Sequence, residues 1–165
     1  MVKIIPTYEC VLESRKKPDD VAVALRWATE EPKMFKQYSW KREFSGLVEN
    51  RHFRIVQNID YRNSFQPFID GCVEESESGS LIHVKMAMHP LISFFCLFFF
   101  GGIVLEFLFE VIQSFGEDFL IRLPFLVIST VLIALFQLMM RGIFYSSAKK
   151  SIERLKDLLF CYDLK

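Results

Sequence analysis

Two long apolar runs, separated by a handful of polar residues, constrain this chain more than anything else in it. The first, PLISFFCLFFFGGIVL, carries no charge between His89 and Glu106. With Glu106 allowed inside, it extends to Ile112. Leu91 to Gln113 is 23 residues, or about 34 Å as a helix at ~1.5 Å per residue. That length crosses a hydrocarbon core of about 30 Å with some tilt. The second, LPFLVISTVLIALFQLMM, lies uncharged between Arg122 and Arg141, with Phe119–Ile121 and Gly142–Tyr145 able to lengthen it. Ser114 to Asp118 is a short polar link with Gly116 as its turn former. These features predict an antiparallel transmembrane hairpin over 91–145, with spans at about 91–113 and 120–144. A buried hairpin in a soluble core is disfavoured, because a chain of 165 residues has too little other protein to cover two Phe-rich helices. The first run lies about 90 residues into the chain and does not read as a signal peptide.

Basic residues near the span ends set the expected orientation. Arg141, Lys149, Lys150, Arg154 and Lys156 follow the second span, and Lys85 precedes the first, whereas the link region holds only Arg122 beside Glu117 and Asp118. The link is expected outside and both termini in the cytoplasm.

Residues 1–90 read as a β-rich cytoplasmic domain. Lys3 to Glu13 has strand character. Pro18 suits the first position of a helix, Asp19 and Asp20 complement its dipole, and Val21, Ala24, Leu25 and Ala28 share one face. Glu30-Glu31-Pro32 ends that helix. From about Phe35 the period becomes two, with strands at Phe44–Val48, Phe53–Ile59, Phe65–Glu75 and Leu81–His89. Their turns are expected at Glu49-Asn50, at Tyr61–Ser64 and over the loop Glu74–Ser80. Residues 146–165 are expected to form a separate short amphipathic helix, with Ile152, Leu155, Leu158 and Leu159 on one side. It docks either on the β-domain, the favoured arrangement, or on the bilayer. The expected fold class is therefore α+β: an antiparallel meander with one helix, then the hairpin, then the amphipathic helix.

The pattern Phe44-x-Gly46, Phe53-Arg54-Ile55, Tyr61-Arg62-Asn63-Ser64-Phe65-x-Pro67 and Gly71, followed by His89-Pro90 at the first span, resembles a group of small uncharacterised bacterial two-helix membrane proteins over roughly residues 40–110. The resemblance implies a bacterial inner-membrane location and carries no activity. The element order is also similar to helix-grip and pleckstrin-homology-like lipid-binding domains, an analogy of fold alone.

Acids and bases number 20 each, and 13 of each fall in residues 1–90, so a nucleic-acid partner is not expected. There is no Gly-rich phosphate loop and no G-x-S-x-G, so neither an enzyme nor a cofactor is expected. Cys10, Cys72, Cys96 and Cys161 form no C-x-x-C pair; His52, His83 and His89 are scattered, and no metal site is expected. The polar knot Asp60, Tyr61, Arg62 and Asn63 reads as a structural turn, with a recognition loop as the alternative and binding site. Trp27 and Trp40, with Tyr38, read as core rather than as a partner surface.

Within the spans, Glu106 is the sharpest residue. It lies past the middle of the first span, at a level matching Ser129 and Thr130 on the second, whose hydroxyls are placed to satisfy it. Glu110 sits one turn further on the same face, and Gln137 lies near the cytoplasmic level. A carboxylate here reads as a snorkelling side chain, as glue between protomers or as part of an ion path. The expected function is an anchor for a β-rich module that binds a ligand or protein partner. The alternative is an oligomeric, membrane-active or ion-conducting subunit using Glu106.

Overall fold

The computed structural model of the chain describes residues 5–31, 42–59, 63–113 and 119–163. Its elements run β1 (Thr7–Ser14), α1 (Pro18–Ala28), β2 (Thr29–Glu30), β3 (Phe44–Glu49), β4 (His52–Gln57), β5 (Pro67–Ser76), β6 (Gly79–Met88), α2 (Pro90–Gln113), α3 (Phe119–Leu159) and β7 (Cys161–Asp163). The fold is α+β, as expected. Strands β3 to β6 form the expected antiparallel meander, and β1 closes against β6 with Thr7 opposite Ala87 and Ser14 opposite Ser80. The sheet order is β2-β3-β4-β5-β6-β1-β7, with β2 parallel to β3 at one edge.

Local chemistry accounts for most boundaries. The residue before Pro18 is held extended (Lys17 φ −65°, ψ 152°), so α1 starts at the proline, and Asp19 and Asp20 sit in its first turn. Pro18, Val21, Ala22 and Leu25 are its buried face. Trp27 is not core: it is 75% exposed at the end of that helix. Its position is offset from the buried stripe, which the apolar character of indole alone does not reveal. Trp40 and Tyr38 lie outside the described residues. The expected loop Glu74–Ser80 is mostly ladder, because β5 and β6 pair as far as Ser76 opposite Gly79 and leave only Glu77-Ser78 to turn. A polar sequence on an exposed hairpin tip is compatible with strand, since one face is solvated.

The largest departure from expectation is at the C-terminal end. Among the described residues there is no separate amphipathic helix in the expected range 146–165. The second apolar run and the amphipathic segment form one helix, α3, of 41 residues and about 62 Å. No proline interrupts residues 125–159, and Gly142 alone costs about 1 kcal/mol against alanine, less than the packing on either side of it. A single stripe runs down the helix. Ser129 and Met140 are buried towards its first half, and Phe144, Ala148, Ile152, Leu155 and Leu159 towards its second. The second half docks on the sheet and joins the core of Leu12, Leu25, Phe44, Ile55, Ile69, Ile82 and Met86. Burial of each large apolar side chain is worth about 2 kcal/mol, so the α3 stripe contributes on the scale of a whole domain's stability. Beyond Leu159 the chain reverses through Phe160 (φ +54°), and β7 pairs with β1, with Ser14 opposite Cys161. The Ser14 hydroxyl donates to the Leu159 carbonyl (3.1 Å), which ties off the helix end.

Helix α2 and the first half of α3 are long and apolar enough to cross a membrane, and only 6% of the most apolar window of each is buried. In α2 Leu91, Phe94, Phe95, Phe98 and Phe99 all point outward, and Cys96 alone is buried. A core helix of a soluble protein would be covered on most sides.

Candidate functional site

The sheet has one covered face and one open face. Alternation in β4 to β6 sends Phe53, Ile55, Ile69, Val73, Ile82, Val84 and Met86 to the helices. The opposite positions line a shallow basin of about 840 Å³. Two rungs of cross-strand neighbours form its floor. In one, Leu47, Arg54, Asp70, Lys85 and Glu9 follow each other across five strands; in the next, Glu49, His52, Cys72, His83 and Val11 do so. The first rung is internally paired, with Arg54 Nε 2.5 Å from Asp70 Oδ1 and Lys85 Nζ 3.2 Å from Glu9 Oε1. The Asp70 hydrogen bond holds the Arg54 guanidinium above its usual pKa. In the second rung His83 Nε2 faces Glu74 at 3.3 Å. On the other side of the same strands, Gly71 lies between Phe53 and Val84 on the covered face, and the Phe53 ring packs directly on it.

A second cleft, of about 400 Å³, lies where the sheet meets α3 just beyond the apolar half of that helix. Asn63 stands at its mouth. Its amide Nδ2 donates to Ser147 Oγ (2.9 Å), and its Oδ1 accepts from the Phe65 backbone amide (3.0 Å). Deeper in the cleft, Ser151 Oγ donates to Gln57 Oε1 (2.8 Å). Lys150 and Arg154 line it together with Glu153 and Asp157, so both signs of charge face the space. Of the four residues of the polar knot, Asp60, Tyr61 and Arg62 lie outside the described residues. Asn63 both shapes a turn and latches that turn to α3.

The polar residues of the two apolar helices do not form one cluster. Glu106 is exposed on the outward side of α2, whereas Ser129 is buried on the stripe of α3. Thr130 is exposed, and its hydroxyl donates to the Leu126 carbonyl one turn back (2.8 Å), a bond within its own helix. Glu110 is half-buried. Gln137 turns inward, and its Oε1 is buried with no hydrogen-bond partner among the described residues.

Strand pairing placed the one constellation that sequence reasoning missed. His52, Cys72 and His83 are separated by 20 and 11 positions, so no local spacing connects them; the alternation of β4, β5 and β6, taken with their mutual register, would have done so. Cys10 and Cys161 lie on the covered side and half-buried near the β1–β7 edge. Burial pushes both thiols up, reinforced at Cys10 by the nearby Asp163 and moderated at Cys161 by Ser14, Lys16 and Lys156. A raised pKa means less thiolate at neutral pH. Both should therefore react with maleimide more slowly than an unstructured cysteine at about pH 8, with the gap narrowing as pH rises through the raised values. Mass-resolved alkylation kinetics across pH check this, and equal rates at all pH values would contradict it.

Compared with known proteins, the chain matches no family model, no curated protein and no solved structure.

Proposed function

We propose that this chain is an integral membrane protein whose α2–α3 hairpin anchors a β-rich module that binds a ligand or partner through its open sheet face, without catalysing a reaction. One observation carries the reading: a single helix, α3, has an apolar, uncovered first half and a second half that is part of the β-domain core. Uncovered Phe-rich helices of this length are stable in lipid, where their backbone groups are satisfied internally. Because the helix is continuous, the module is held rigidly against the bilayer instead of hanging from a linker. The basic residues Lys149, Lys150, Arg154 and Lys156 on the module side support a cytoplasmic placement of the module, and the resemblance to small two-helix membrane proteins implies a bacterial inner membrane.

Extraction and labelling test this together. The protein should stay in the membrane pellet in alkaline carbonate. In intact cells an impermeant maleimide should label Ser114→Cys in the link, in a background lacking the native cysteines, and should leave Cys72 of the native chain unlabelled until the membrane is opened. Release by carbonate would end the anchor reading, and labelling of Cys72 from outside would reverse the topology.

A second reading rests on Glu106. A carboxylate on the outward side of an apolar helix is costly in hydrocarbon, and a second hairpin would cover it. If the hairpin self-associates through this face, Glu106→Leu should abolish the oligomer seen by native mass measurement in nanodiscs while the β-domain remains folded. An unchanged mass would leave the anchor reading alone.

A further inference from the structure

We propose that the cleft between α3 and the meander end that carries Gln57 and Gln66 binds a phosphoethanolamine group, presented by a phospholipid of the surrounding bilayer. The lipid source rests on the anchor reading above; the chemistry of the cleft does not. At about 400 Å³ the cleft is within the range of pockets that hold small ligands, about 300–1,000 Å³. One arc of α3 forms a wall of it. At about 3.6 residues per turn, Ser151 and Ser147 lie next to the buried stripe, Arg154 and Lys150 come next round the helix, and Asp157 and Glu153 stand furthest round. The hydroxyls are already engaged, Ser151 with Gln57 and Ser147 with Asn63. What remains for a ligand is four exposed charges, two of each sign. Lys150 and Glu153 are three positions apart, as are Arg154 and Asp157, a spacing that lets helical side chains pair. None of the four has an ion-pair partner among the described residues.

The order of these charges along α3 matches such a headgroup. Lys150 lies six residues, or about 9 Å along the helix, past the expected span end at about 144. Helical side chains lean towards the N-terminus, which here is towards the bilayer. Both cations therefore reach back towards the headgroup layer, which adds about 5–8 Å to each side of the hydrocarbon core. Each acid stands three residues, about 4.5 Å, beyond its base. A phospholipid headgroup has the same polarity, with the phosphate next to the glycerol and the amine further out. The phosphate accepts from Lys150 and from the planar guanidinium of Arg154. A primary ammonium offers three donors to Glu153 and Asp157. Choline has no N–H to give and is held by aromatic cages, and no aromatic ring is among the described residues that line the cleft. A glycerol headgroup would leave both carboxylates facing a phosphate with no cation between them.

The experiment is native mass spectrometry of the full-length protein in mild detergent, given equal amounts of phosphatidylethanolamine, phosphatidylcholine and phosphatidylglycerol with the same acyl chains. One phosphatidylethanolamine should be retained per chain, preferred about tenfold over either competitor, the scale of one hydrogen bond between charged groups. Lys150→Gln combined with Arg154→Gln should lower that retention at least about tenfold. Glu153→Gln combined with Asp157→Asn should keep a bound lipid but turn the preference towards phosphatidylglycerol, a reversal that a loss of structure would not produce. Lys149→Gln, an exposed neighbour outside the cleft, should change nothing. Soluble glycerophosphoethanolamine should displace the lipid only in large excess, because it has no acyl chains; displacement at equal concentration would make the occupant a soluble phosphate ester and overturn the lipid source. The site is overturned if the three lipids are retained equally, if phosphatidylglycerol is preferred by the parent chain, or if either double variant keeps the parent's selectivity. Carbonate extraction reads the anchor separately. A protein that stays in the pellet but shows no lipid preference loses the site alone, and one that carbonate releases but that still binds glycerophosphoethanolamine loses the anchor alone.

Discussion

Leu155→Ala is expected to cost about 3 kcal/mol and to unfold the β-domain at much lower denaturant, while α2 and the first half of α3 stay helical. Leu155 is fully buried in the stripe where α3 docks on the sheet. Removing a buried leucine side chain costs about 2–5 kcal/mol in transfer and cavity terms, out of a typical domain total of about 5–15. The apolar half of α3 reaches that core only at its end, through Phe136 and Met140, and in detergent or lipid its helix is held by its own backbone hydrogen bonds. Two transitions should therefore appear: an early loss of near-ultraviolet signal and protease resistance, and a late loss of helix. Leu158→Ala, one face round and half-buried, serves as the control and should cost less than half as much. If both variants shifted the two transitions together, the hairpin and the domain would be a single cooperative unit, contrary to this account.

The second large effect is expected at Gly71. A Cβ there would run into the Phe53 ring and come within 2.7 Å of the His83 carbonyl oxygen. The ring tip can move, but the carbonyl belongs to the neighbouring strand and cannot. Gly71→Ala should thus destabilise the domain by about 2–3 kcal/mol, through overpacking and a strained ladder in the middle of the sheet. Phe53→Leu removes the ring and should recover only part of that loss when combined with Gly71→Ala, because the carbonyl clash remains. Chemical denaturation of the four-member cycle reads the coupling. Full recovery in the double variant would assign the whole effect to the ring, and the absence of any loss in Gly71→Ala would show that β5 and β6 are free to part locally.

How far the sequence was legible follows from the range of the forces involved. Pro18 at the head of α1, the outward and inward positions of β6 and the two apolar runs are local patterns: a fixed φ, a period of two, an uncharged length. Each could be read in a window of a few to some twenty residues, and the start of α1 and the four meander strands lie where those windows put them, to within two or three residues. Trp27 misled because a single apolar side chain carries no period of its own. Asn63 was legible as a turn former; that its amide reaches Ser147, 84 positions away, was not.

What the sequence by itself determined, then, is the α+β class, the meander and the presence of two helices long and apolar enough to cross a membrane. These rest on periodicity, composition and length, all of which act along the chain. Only the tertiary structure decided that the second apolar run and the C-terminal segment are one helix, because a lone Gly142 neither breaks nor guarantees a helix and the packing of Phe144 to Leu159 on the sheet settles it. It also decided that β1 lies between β6 and β7, and that Glu106 faces away from Ser129. Above all it decided that His52, Cys72 and His83 stand side by side. Strand register is set by the burial of one face against a distant partner, and a shift of one residue would have turned all three into the core.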